Sequence, residues 1–194
     1  MLQRWIGGGL MIGGFVLVAF GAGISSLVGS VISGATMSLG MALIGVGALV
    51  LAIAGPAPLS GRFVRIGLDI LAVGLLGVAG SSIAAARLSY DPLEDMPTVI
   101  LLLGGGLAAI IGMLLTQLAL LVAGGLARKL GVLFFAGLAG IYLMQSLAAI
   151  SPEASPLRLV LVLSSVIAAA ALLVGCAGPA LLAFRGGRAP VVPG

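Results

Sequence analysis

The sequence predicts an all-α fold, a bundle of about six membrane-spanning helices, and two observations support this class. Hydrophobic residues make up 61% of the chain and charged residues only 7%, against about 25% charged in soluble domains. Polar residues are therefore too few to cover a soluble fold, whereas lipid stabilises an apolar exterior. The charged residues also lie at the edges of long apolar stretches, and Asp69 is the exception.

Six apolar stretches reach the length of about 20 residues that a helix needs to cross the hydrocarbon. They are residues 6–28, 37–55, 64–86, 98–127, 131–150 and 158–178, in one integral membrane domain over 1–194. Arg4 and the first stretch also resemble a secretory signal peptide. We expect the first helix to stay uncleaved, because no clear cleavage site follows it; cleavage would leave five spans.

Most breaks between the stretches are marked by proline, which has no amide hydrogen and restricts the residue before it. Proline pairs end the second, third and fifth stretches: Pro56 and Pro58, Pro92 and Pro97, Pro152 and Pro156. Pro179 is expected to end the sixth helix. A turn at Arg128, Lys129 and Gly131 is expected between the fourth and fifth.

The first break, at residues 29–38, carries no charge. One long bent helix is the alternative, but about 50 residues would span the hydrocarbon twice, so two helices are preferred.

The basic residues predict the orientation of the spans. With six spans, seven basic residues fall on one side of the membrane and two on the other. The seven are Arg4, Arg62, Arg65, Arg128, Lys129, Arg185 and Arg188, and the two are Arg87 and Arg158. This excess predicts that both termini are cytoplasmic. The preference for Arg over Lys and the abundance of Gly and Ala suggest a bacterial protein of the cytoplasmic (inner) membrane.

Two glycine triplets, Gly7-Gly8-Gly9 and Gly104-Gly105-Gly106, lie 97 residues apart. This offset suggests a weak inverted repeat of three helices each, as in many transporters. A second match, of residues 54–57 with 177–180, conflicts with it. Each triplet is either a helix break that exposes carbonyls or a close packing contact, since membrane helices associate through small residues. Pairs of small residues four apart favour packing: Gly9/Gly13, Ala48/Ala52, Ala108/Gly112, Ala136/Gly140 and Ala171/Gly175.

The chemistry for catalysis is sparse. The chain has no histidine and a single cysteine, Cys176, so histidine-ligated haem, most zinc and copper sites and Ser–His catalysis are excluded. We expect no enzyme activity, no cofactor and no metal. Nucleic-acid binding is not expected either, because the basic residues never form a stripe.

Asp69 is the only carboxylate expected inside a span, one turn from the cytoplasmic end of the third helix, and such residues are functional candidates. Arg65 lies four residues before it, on the same helical face. A structural ion pair between Arg65 and Asp69 is therefore the competing interpretation.

A second candidate is a polar cluster in the outer halves of the third, fifth and sixth helices. Its members are Ser81, Ser82, Tyr142, Gln145, Ser146, Ser164 and Ser165. The cluster is either a vestibule for a neutral solute or a set of interhelical hydrogen bonds. Thr116 and Gln117 are expected deeper, toward the cytoplasm.

Three functions are compatible with these patterns. A non-catalytic structural, accessory or assembly subunit, packed against other membrane proteins or copies of itself in the lipid bilayer, is preferred. A small channel or transporter for a neutral or weakly polar solute is the alternative, and a lipid-handling or sensory protein has no specific support. The outer loop, residues 87–97, is either a docking site for a partner or a solvated turn.

Overall fold

The structure, a computed structural model, describes residues 2–28, 30–56, 58–87, 96–150, 152 and 156–185. The regular structure of these residues is helical: α1 (Leu2–Val28), α2 (Ser30–Ala54), α3 (Arg62–Arg87), α4 (Met96–Ala123), α5 (Gly125–Ile150), α6 (Pro156–Cys176) and α7 (Gly178–Arg185). By length and composition, α1 to α5 can cross a membrane, and α6 with α7 make a sixth span if this pair, bent by 50°, counts as one. The predicted transmembrane helix bundle is confirmed.

The first break is shorter than predicted, because α2 begins at Ser30 instead of residue 37. Residues 30–36 hold no charge and no proline, so helical hydrogen bonds can continue through them and satisfy the backbone near lipid. α1 and α2 pack against each other. The preference for two helices over one long helix is therefore confirmed.

The turn between α4 and α5 lies at Gly124, and the prediction of a turn at residues 128–131 is wrong. Gly124 has a φ of 79° and Gly125 a φ of 57°, and this left-handed backbone favours glycine. Arg128 and Lys129 belong to α5 and are exposed. Long basic side chains reach the headgroups from within a helix, so these charges need no break in the helix.

The end of the sixth span also differs from the prediction. α6 ends at Cys176, and Pro179 lies in the first turn of α7 instead of terminating α6. Proline is well tolerated there, because the first amides of a helix have no intrahelical acceptor. Arg188 and Pro92, which the sequence argument used, lie outside the described residues, as does most of the 87–97 loop.

The helices form two compact units. The first unit contains α1, α2, α3, α4 up to Thr116, and α7 from Pro179; the second runs from Gln117 to Gly178. In the first unit α1 packs on α2 and α2 on α3, around buried side chains such as Met11, Leu51 and Leu71. In the second unit α5 packs on α6.

Candidate functional site

Glycines bring α1 and α2 into backbone contact. A Cβ added at Gly14 would lie 2.5 Å from the carbonyl oxygen of Gly40, and one added at Gly47 would lie 2.7 Å from that of Gly7. Gly7 and Gly14 are seven residues apart, as are Gly40 and Gly47. A seven-residue period keeps one face of each helix on its neighbour. Only hydrogen fits at Gly14, Gly40 and Gly47.

α3 and α4 meet in the same way. A Cβ at Gly74 would lie 2.6 Å from the carbonyl oxygen of Gly105, and one at Gly112 would lie 2.7 Å from that of Gly67. These glycines are again seven apart within each helix. In the second unit, a Cβ at Gly175 would lie 2.6 Å from Phe134 Cα, so α5 and α6 also pack closely.

The two glycine triplets lie inside unbroken helices. α1 continues through Gly7-Gly8-Gly9 and α4 through Gly104-Gly105-Gly106. Gly7, Gly8 and Gly105 face neighbouring atoms, whereas a Cβ at Gly9, Gly104 or Gly106 would meet nothing within 4 Å. The structure therefore gives the helix-break interpretation no support, and only some of the triplet glycines make packing contacts.

The prediction that small residues four apart pack against neighbouring helices was partly wrong. Gly9 and Gly13, a pair four apart, both face open space, while Ala48 and Ala52 are buried. The signal that sequence reasoning missed is the seven-residue spacing of glycine in α1 to α4. The offset of 97 also pairs Gly7, which packs on Leu51, with Gly104, which has no neighbour. These contacts give the inverted repeat no support.

Arg65 is engaged with α2 instead of with Asp69. Its Nε donates to the carbonyl oxygen of Ala52 at 2.6 Å, and its Nη2 makes a longer bond of 3.4 Å to that of Ile53. The last four carbonyls of a helix lack intrahelical partners, and a cation is favoured at that end. No ion pair of Arg65 with Asp69 occurs within this described region, so the predicted pair is replaced by a cap on α2.

Asp69 lies on the outer face of α3, which we define as Arg62, Ile66, Asp69, Val73, Gly80 and Ile83. All six are exposed. The buried residues of α3, among them Gly67, Leu68 and Leu71, belong to the opposite side, which packs on α2 and α4. Asp69 follows the start of α3 by seven residues, about 10 Å along the axis.

The residues of the predicted polar cluster are divided between the two units. Ser81 and Ser82 lie in the first unit, and both hydroxyls donate to the carbonyl oxygen of Val78 in their own helix, each at 2.9 Å. In the second unit, Tyr142 is 76% exposed. Gln145 and Ser146 are also exposed, and Ser164 is half-buried. The hydroxyl of Ser165 donates to the carbonyl oxygen of Val162 in its own helix at 2.6 Å.

The buried polar side chains lie elsewhere. Ser33 Oγ donates to the carbonyl oxygen of Gly21 at 2.8 Å and joins α2 to α1. Thr116 Oγ1 donates to Gly112 O at 2.8 Å within α4. Gln117 is fully buried in the second unit, where its Nε2 donates to the carbonyl oxygen of Gly175 at 3.0 Å. These bonds serve helix packing.

The first unit also has a basic, aromatic end. Arg4, Arg62 and Arg185 occur at helix ends there, and Trp5 contacts Phe184 edge to face with ring centroids 5.0 Å apart. Cys176, at the end of α6, is half-buried. Within the described ranges, no group of three or more His, Cys, Asp or Glu side chains is placed to hold a metal ion.

The sequence matches no family model, and comparison with curated proteins and with solved structures finds no significant match.

Proposed function

We propose that this protein is a non-catalytic subunit of a larger membrane-protein assembly in the bacterial cytoplasmic membrane. The outer face of α3, centred on Asp69, is the surface on which a helix of another subunit packs. The observation that carries this proposal is the exposure of Asp69 while Arg65 is held by α2.

The physical argument concerns the position of the carboxyl group. Ionisable side chains within membrane spans almost always face a protein interior or a water-filled cavity, and pair with another group there. Asp69 faces away from the helices that pack on α3. A neighbouring protein with a basic or hydrogen-bonding side chain at this depth supplies the missing environment.

The apolar residues beside Asp69 fit the same role. Ile66, Asp69 and Val73 follow one another at spacings of three and four residues, which is the spacing of a helix–helix seam. Val73 is 66% exposed. A partner helix that covers this seam gains van der Waals contact, which drives helix association in lipid.

The alternative, a channel or transporter for a neutral solute, has less support. It relied on Tyr142, Gln145 and Ser146 as lining residues, and these side chains are exposed on α5. Its serine hydroxyls on α3 bond to Val78 of their own helix.

The proposal is tested with Asp69→Asn, which keeps the shape of the side chain and removes its charge. We expect the fraction of protein in the larger assembly to fall while the protein level in the membrane changes less. Asp69→Glu keeps the charge and should retain most of the assembly. Ser146→Ala, at an exposed polar position on α5, is the control.

Sedimentation or native electrophoresis after mild solubilisation measures the assembled fraction. The proposed surface is refuted if Asp69→Asn assembles as well as the unmodified protein. A lower protein level with unchanged assembly would instead assign Asp69 to the stability of the fold.

A further inference from the structure

Four arginines of the first unit gather at one end of it. Arg4 lies in the first turn of α1, and Arg62 and Arg65 lie in the first turn of α3. The start of α1 meets the end of α2, because a Cβ at Gly7 would lie 3.0 Å from Leu51 and Val50 side-chain atoms. Arg65 binds the end of the same α2 through Ala52 O. The beginnings of α1 and α3 therefore share one end of the unit.

α7 adds the fourth arginine to this end. The Phe184 ring is 5.0 Å from the Trp5 ring, with the two planes at 70°. A Cβ at Gly8 would lie 3.1 Å from the same Phe184 ring. Arg185 follows Phe184 directly and is exposed at the last residue of α7. We call Arg4, Arg62, Arg65 and Arg185 the arginine cluster.

The chemistry of the arginine cluster suits phosphate. A guanidinium group presents N–H donors in a planar fork that matches phosphate oxygens. The bonds of Arg65 to Ala52 and Ile53 hold its side chain at the end of α2, so less conformational freedom is lost when it binds an anion. Trp5 and Phe184 lie beside the cluster, and aromatic rings such as Trp are enriched at the depth of the headgroups.

The balance of charge at this end favours an anion as well. Asp69 is the only acidic residue in the part of the chain that the structure describes. Asp69 lies seven residues beyond Arg62 in α3. Because this single carboxylate stands against four arginines, the net charge at this end is positive. Four basic side chains at a membrane boundary attract anionic lipids.

We infer that the arginine cluster binds the headgroups of anionic phospholipids in the leaflet that this end of the protein faces. The site is made of the ends of α1, α2, α3 and α7. It lies apart from the outer face of α3 except at Arg62, and the inference does not depend on the proposed subunit role.

The single tryptophan of the chain, Trp5, is a natural probe of this site. The purified protein is reconstituted in vesicles of phosphatidylcholine and phosphatidylglycerol in equal amounts. In one sample the phosphatidylcholine carries brominated chains, and in the other the phosphatidylglycerol does. Because bromine quenches Trp fluorescence only at short range, the two samples compare the local concentrations of the two lipids.

We expect the anionic lipid to be enriched beside Trp5 about fivefold, the factor for one basic residue held at an anionic surface. The double variant Arg62→Gln/Arg185→Gln should lose this preference, and Arg62→Lys/Arg185→Lys should keep part of it. Arg87→Gln, at the far end of α3, is the control and should leave the preference intact. High salt should reduce the preference of the unmodified protein, because salt screens exposed charges.

Equal quenching by the two lipids in the unmodified protein would overturn the inference, whatever the variants do. So would an unchanged preference in the folded Gln double variant. Replacing chloride by inorganic phosphate at equal ionic strength should have no effect. If phosphate alone abolishes the preference, the site takes a soluble anion and the assignment to lipid is wrong.

Discussion

Glycine residues decide how closely the helices of the first unit approach one another. The backbone contacts at Gly14 with Gly40 and at Gly67 with Gly112 leave no room for a methyl group. Helices that touch in this way gain van der Waals contact along their length, which is the main attraction between helices in lipid. The open positions, such as Gly104, carry no such requirement.

Gly112→Ala should therefore destabilise the protein, and Gly104→Ala, in the same helix, should not. At Gly112 the new Cβ would meet the backbone of Leu71 and Gly67, and such overpacking costs about 1–3 kcal/mol. At Gly104 the Cβ meets nothing within 4 Å, and Ala is favoured over Gly in a helix by about 0.5–1 kcal/mol. Unfolding of the two variants in a mild detergent gives the comparison, and equal stabilities would show that α3 and α4 do not pack through Gly112.

The choice of hydrogen-bond acceptor by Arg65 is a second effect at the scale of one residue. The sequence predicted its partner from the separation of four residues to Asp69, and that separation does place both on one face. The carbonyl oxygens of Ala52 and Ile53 became its acceptors instead, because α3 begins beside the end of α2. Only the three-dimensional arrangement of two helices reveals this competitor, so the ion pair could not be judged from the sequence.

Among the elements, the breaks that contain proline were predicted well and the breaks that contain charge or glycine less well. α3 starts at Arg62, close to the predicted residue 64, after Pro56 and Pro58. The α4–α5 turn was placed too late, because Arg128 and Lys129 suggested an aqueous loop. Gly124 and Gly125 resemble the many glycines inside helices, and only their positive φ values distinguish them.

Substitution at Gly124 tests the position of this turn. An alanine there would have to adopt the left-handed conformation, which costs about 1–2 kcal/mol. Nothing lies within 4 Å of the added Cβ, so the loss would come from the backbone alone. We expect Gly124→Ala to lower the thermal unfolding midpoint. Gly34→Ala is the control, since Gly34 lies inside α2 and also has open space; similar midpoints for the two variants would argue against the turn at Gly124.

At the scale of the whole molecule, the interior and the surface have different chemistry. Buried polar groups such as Ser33 and Gln117 donate to helix carbonyls, and many of the close contacts between helices involve glycine. Asp69 and three members of the arginine cluster, Arg62, Arg65 and Arg185, are exposed. The fold class was predictable, because lipid excludes charge and so places it at helix ends. Which glycines and polar residues meet was not, because a chain with 32 glycines offers many equivalent pairings.

The central claim, that the protein belongs to a larger membrane assembly, is tested most directly by the size of the particle that contains it. Membranes from cells that express the protein at its native level are solubilised in a mild detergent, and the mass of the particle is measured together with its protein composition. The account predicts a defined assembly with other membrane proteins in fixed proportion, which Asp69→Asn depletes. A stable monomer, or a dimer of this chain alone, in membranes solubilised in the same way would contradict it.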